Sequence, residues 1–161
     1  MQKMLLTLCI VQKDKKVLLG FKKTGFGAGQ WNGFGGKVEK GESIEDAAKR
    51  ELKEESCLTA QEISKRGILN FEFEEYPEIL EVRVFQTDKF EGISEETREM
   101  RPEWFSIDEL PYKEMWTSDA HWMPLLLAGK KFKGSFLFDR PSTKDYSAKI
   151  IKQELKEVDE I

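Results

Sequence analysis

The sequence predicts an α/β (α+β) domain, on three observations. One strongly amphipathic helix stands out near residue 50, apolar runs of strand length surround it, and 161 residues make one domain able to bury a core. No repeat, linker or low-complexity segment divides the chain. The domain is expected over residues 1–151, with a charged tail at 152–161.

Met4–Gln12 and Val17–Lys22 read as strands joined by the polar turn Lys13–Lys16. Met4–Val11 is too short to span a bilayer, lacks a small-residue cleavage site and runs into lysines. It therefore reads as a core strand and not as a signal peptide. The loop Thr24–Gln30, with Gly25, Gly27 and Gly29, is not followed directly by a helix, so it is an ordinary connection and no dinucleotide fingerprint. Trp31-Asn32-Gly33-Phe34 then leads into the stretch Gly35–Leu58, where Ser43 caps a helix with Glu45 and Asp46 in its first turn. Ile44, Ala47, Ala48 and Leu52 recur at helical spacing and form the face to be buried.

Beyond the helix, Glu62–Glu74 and Ile79–Thr87 read as strands flanking a turn at Glu75–Glu78. Ser94–Met100 is a short acidic segment, Arg101–Phe105 another strand, and Ser106–Leu110 a helical turn. Ala120–Ala128 is an apolar helix interrupted by Pro124. Lys131–Asp139 is a late strand and Tyr146–Ile151 a last edge strand. His121, the one histidine, sits beside Trp122 and takes no catalytic role.

Glu51, Glu54 and Glu55 are three and four residues apart, which places all three carboxylates on one helix patch. Such pairs repel by roughly 0.2–0.5 kcal/mol each, a cost that a hard divalent cation with oxygen ligands offsets. A solvated acidic face is the plainer account of the three alone. Arg50 stands next to them as a bidentate partner for a carboxylate. The net charge of -4, with both signs interspersed, argues for a soluble protein without a dedicated nucleic-acid or membrane surface. Cys9 and Cys57 form no CxxC pair, and nothing suggests an oxidising compartment; a cytoplasmic monomer is expected. Asn32 reads as an Asx turn or a base contact, and Phe71 and Phe73 as core or as stacking faces.

Gly36, Glu42 after five intervening residues, Arg50-Glu51-Leu52 after seven more, then Glu54-Glu55 and Leu58 together resemble the Nudix box, G-x5-E-x7-R-E-U-x-E-E-x-G-U with U aliphatic. Every charged position is filled. Cys57 stands where the family has its second glycine. Further along, Lys22-Lys23, Gly25–Gly29, Trp31–Lys37, Phe71-Glu72-Phe73, Glu99–Pro102 and Met115-Trp116 resemble the MutT-homologue subgroup, over most of residues 5–146.

The resemblance implies the Nudix fold, an α/β/α sandwich around a mixed β-sheet. It implies Mg2+ (Mn2+ as a substitute) and pyrophosphohydrolysis of oxidised purine nucleoside triphosphates such as 8-oxo-dGTP, giving the monophosphate and pyrophosphate. The implied metal shell is the Gly35 carbonyl with Glu51, Glu54, Glu55 and Glu99, and Glu54 or Glu55 also serves as the base. Lys22 and Lys37 are implied to hold phosphate. Thr7, Asn32, Phe34, Phe71, Phe73 and Leu80, with Trp116, Ser118 and Asp119, are implied to line the substrate pocket. The subgroup has two adjacent aspartates where this chain has Ser118-Asp119. An Asp119 that stays ionised would accept from the guanine-type edge and handle oxidised adenine nucleotides less well. A hydrolase of another nucleoside diphosphate-linked substrate, such as a dinucleoside polyphosphate, is the alternative. A non-catalytic nucleotide-binding module is a third reading, which the complete set of glutamates opposes.

Overall fold

The computed structural model describes residues 2–161. Eight strands form one mixed sheet: β1 (Gln2–Lys13), β2 (Lys16–Lys22), β3 (Trp31–Asn32), β4 (Thr59–Phe73), β5 (Glu78–Glu91), β6 (Met100–Ser106), β7 (Lys131–Phe138) and β8 (Ile150–Val158). The main order is β3-β2-β1-β5-β4-β7-β8, and β6 pairs with β2. β1–β5 and β4–β7 are parallel and the other pairs antiparallel.

Two helices cover the sheet, α1 (Ile44–Ser56) and α2 (Asp119–Leu127). Period-two alternation along β1 separates their cores. Cys9 and Val11 pack with Ala48 and Leu52 of α1, while Ile10 packs with Trp122 and Leu126 of α2. That is the α/β/α arrangement expected from the resemblance.

Ser106–Leu110 makes the expected turn, closed by Glu109 N–H to the Ser106 carbonyl at 2.9 Å, and a short 3-10 helix follows at Tyr112–Glu114. One expected element differs. The last strand runs over Ile150–Val158, not Tyr146–Ile151, and takes in most of the segment read as a tail. The cause is a packing site out of sequence range. Gly134 on β7 lies opposite Leu155, whose Cδ1 is 2.8 Å from where a Cβ on Gly134 would sit. The charged residues of this edge strand keep the other side in water.

The connection after β3 positions the site. Residues 34–38 run antiparallel to β1, with Cys9 N–H to Phe34 O at 2.7 Å, Thr7 N–H to Gly36 O at 2.9 Å and Val38 N–H to Leu5 O at 3.2 Å. A Cβ on Gly35 would fall 1.8 Å from the Thr7 carbonyl oxygen, so only glycine fits there.

Candidate active site

α1 starts where the sequence places it. The Ser43 hydroxyl accepts from the Asp46 N–H at 3.1 Å, and Ala47, Ala48 and Leu52 are buried. Its other face carries the acids. Arg50 grips Glu42 with two nitrogens, Nε at 2.7 Å and Nη2 at 3.0 Å. Its Nη1 reaches Glu51 at 2.9 Å and Glu54 at 3.3 Å, and Nη2 also donates to the Lys37 carbonyl at 3.0 Å. Glu42 is thus the bidentate partner that orients Arg50. A Cβ on Gly36 would meet Glu51 Oε1 at 2.5 Å, so a side chain there would push the Glu51 carboxylate out of its place.

Glu55 is 2 % exposed, and its Oε1 accepts from the Gly35 N–H at 2.9 Å. Burial pushes its carboxyl up to about 8; the Gly35 N–H and Lys22 pull it down, and the Glu99 and Glu51 carboxyls push it further up. Burial likewise raises Glu51, against the pull of Arg50. Glu99, on the exposed loop before β6, brings its carboxyl to this end.

Among the described residues no three acids converge closely enough to hold an ion as they stand. Glu51 and Glu54 are turned onto Arg50, and Glu55 onto Gly35. The donor set nevertheless fits a hard divalent cation. It consists of carboxylate and carbonyl oxygens, its Glu55 carboxyl is buried and its titration raised by that burial, and among the described residues no thiolate or imidazole competes.

Beside the acids opens a cavity of about 630 Å³. Glu55, Gly35, Gly36, Lys22 and Lys37 border one end. The other is aromatic, with Phe73 5.9 Å from Trp116 and Phe71 6.3 Å from Trp116, ring centre to centre. Thr7, Asn32, Leu80, Ser118 and Asp119 also border the cavity. Thr7 Oγ1, Ser118 Oγ and Asp119 Oδ2 are buried with no hydrogen-bond partner. Asn32 Oδ1 accepts from the Gly33 N–H at 2.9 Å, one residue on and so not the Asx turn, whose bond reaches two residues on, and its amide nitrogen is left for the cavity.

Two expectations are corrected here. Phe34 does not border the cavity. It is fully buried in the α1-side core with Cys9 and Leu52, because in extended backbone Phe34 points away from the face that Gly33 and Gly35 present. Nor does Asp119 remain simply ionised. Burial raises its carboxyl to about 7, against the Trp122 indole N–H at 3.1 Å and the nearby Ser118 hydroxyl, which makes no hydrogen bond of good geometry. Both protonation states are therefore available near neutrality without a second aspartate.

Three residues at the cavity were given no site role from the sequence. Trp122 orients Asp119 through its indole, a contact signalled by their spacing of three on one helix. Phe26, on the glycine loop, packs against Trp116 at 5.5 Å, and Tyr76, in the β4–β5 turn, packs against Phe73 at 6.2 Å. These two are more than half exposed, and no local pattern distinguishes them from loop residues.

Comparison with known proteins gives the same frame. The model of the NUDIX domain matches residues 4–126. The oxidized purine nucleoside triphosphate hydrolase of Mus musculus is 49% identical over 155 residues, 96% of each chain. That of Danio rerio is 48% identical over 157 residues, covering 98% of this chain and 97% of the relative. The crystal structure of a mutator MutT protein from Bacillus halodurans superposes with a TM-score of 0.81 at 28% identity, covering 95% of this chain and 97% of that one.

Proposed function

This chain belongs to the NUDIX family, and on that premise we propose that it hydrolyses oxidised purine nucleoside triphosphates such as 8-oxo-dGTP to the monophosphate and pyrophosphate. It is a hydrolase of phosphoric anhydride bonds, with Mg2+ as its divalent metal and Mn2+ as a substitute. Nucleotide-pool sanitation by a cytoplasmic monomer is the setting. No helix among the described residues is long and apolar enough to cross a membrane.

One observation carries the substrate class. Three unpartnered buried polar atoms, on Thr7, Ser118 and Asp119, border the same cavity as Phe71, Phe73 and Trp116. An unpaired buried donor or acceptor costs about 1–3 kcal/mol, so these atoms favour a flat ligand with a polar edge. A purine is such a ligand. Stacking on Trp116 contributes roughly 1–3 kcal/mol, on the scale of base–aromatic contacts. Ionised Asp119 accepts from a guanine-type N–H edge, and protonated Asp119 donates to an adenine-type one.

At the other end Lys22 and Lys37 hold the phosphates. Gly35 O, Glu51, Glu54, Glu55 and Glu99 supply the oxygen ligands, with Arg50 pre-setting two of the carboxylates. Mg2+ held by these oxygens would supply positive charge beside the phosphates and would lower the pKa of a bound water. Glu54 or Glu55 takes the proton of the attacking water.

The test is kcat/KM for 8-oxo-dGTP, 2-hydroxy-dATP, dGTP and a dinucleoside polyphosphate, with pyrophosphate and orthophosphate detected separately. Oxidised purine triphosphates should be turned over fastest and release pyrophosphate. Faster turnover of the dinucleoside polyphosphate, or release of orthophosphate, overturns the reading.

A further inference from the structure

We propose that Thr97, backed by Lys23, is a positioning residue that holds Glu99 where a divalent cation requires it. The inference rests on the reading of Glu99 as a metal ligand. Residues 92–99 have no regular structure, so a carboxylate on them would have to be ordered each time an ion bound. The structure supplies the ordering in advance.

Thr97 closes a turn around Glu99 from both sides: its N–H donates to the Met100 carbonyl at 2.9 Å, and its Oγ1 accepts from the Met100 N–H at 3.2 Å. The same hydroxyl donates to the backbone carbonyl of Glu55 at 3.0 Å. One oxygen atom therefore links the Glu99 turn to the α1 residue whose own carboxyl faces the site. Glu95 N–H to the Ser56 carbonyl, at 3.1 Å, is a second tie to the end of α1.

Lys23 holds the loop as well. Its N–H donates to the Glu99 carbonyl at 2.8 Å, its Nζ donates to the Thr97 carbonyl at 2.7 Å, and it pairs with Glu96. Lys23 follows Lys22, which borders the phosphate end of the cavity. The loop bearing Glu99, the end of α1 bearing Glu55 and the strand end bearing Lys22 are thus fastened to one another.

The experiment is a Mn2+ titration of the nucleotide-free protein, with free ion read by electron paramagnetic resonance. Thr97→Val keeps the shape and removes the hydroxyl bonds, and it should weaken Mn2+ binding about tenfold, the low end for partners that orient metal ligands. Thr97→Ser restores the hydroxyl and should bind within about twofold of wild type. Glu99→Gln should weaken binding at least as much, and adding Thr97→Val to it should cost little more, because both act through one carboxylate. Lys23→Met leaves the Thr97 bonds to α1 and should weaken binding about threefold; it decides the matter if Thr97→Val does not fold. Wild-type affinity in a folded Thr97→Val protein, with Glu99→Gln impaired, overturns the inference and leaves the ligand reading intact. Wild-type affinity in Glu99→Gln removes the ligand reading and the inference with it. A purely structural Thr97 would lower the melting temperature and leave Mn2+ affinity unmoved.

Discussion

Cys57→Gly should stabilise this protein, by an amount the backbone geometry bounds. Cys57 ends α1 at φ 71° and ψ 6°, in the left-handed region. There a Cβ crowds the following carbonyl at a cost of about 1–2 kcal/mol. Glycine removes the clash but gives the unfolded chain more freedom, which offsets about 0.5–1 kcal/mol. The bonds that cap the helix are made by the backbone of residue 57, its N–H to Lys53 O at 3.0 Å and its carbonyl from Lys53 Nζ at 3.2 Å. They survive the substitution, and the half-buried thiol takes part in neither. The net gain is up to about 1.5 kcal/mol, which for a chain of this length raises Tm by up to about 6 °C. Thermal unfolding followed by circular dichroism, under reducing conditions, measures it. Cys57→Ala is the control, since it removes the sulfur and keeps the Cβ. If the glycine variant melts no higher than the alanine variant, left-handed strain is not what residue 57 contributes.

Turnover of 8-oxo-dGTP should stop in excess EDTA and return with Mg2+; equal rates before and after chelation exclude the oxygen-ligand assignment. Glu55→Gln keeps an amide oxygen to accept from Gly35 N–H, so the fold should persist while kcat falls at least about a hundredfold, and near-normal turnover would make the acidic patch a solvated face. Asp119 should make stability depend on pH. Its carboxyl loses a proton near 3.8 when unfolded and near about 7 when folded, so its contribution is complete below the lower value and lost as pH rises through the upper one. That contribution is up to about 4 kcal/mol, and Asp119→Asn should flatten this part of the stability profile between about pH 4 and pH 7 in urea unfolding. The same titration should raise the ratio of kcat/KM for 8-oxo-dGTP over 2-hydroxy-dATP between about pH 6 and pH 8, and a ratio that does not move would separate Asp119 from base choice.

What the sequence determined by itself is whatever depends on neighbours three or four residues away. The Ser43 cap, the buried stripe of α1, the common patch of Glu51, Glu54 and Glu55, and the contact of Arg50 with Glu54 all follow from helical spacing, and all are present, whereas the bidentate grip of Arg50 on Glu42 reaches outside the helix. Gly35 and Gly36 were legible as parts of a motif, but what glycine does at each is a contact across the fold: the Thr7 carbonyl leaves no room for a Cβ on Gly35, and a Cβ on Gly36 would displace the Glu51 carboxylate. Phe34, Phe71 and Phe73 are chemically alike in the sequence, and only the pleat and pairing of their segments send the first into the α1-side core and the others to the cavity. The charge at residues 152–158 suggested a tail because a single chain segment does not reveal that Gly134 makes room for Leu155. Asp119 and Glu55 are ordinary carboxylates as letters. Their raised titration comes from desolvation by residues distant in the chain, which no local pattern encodes.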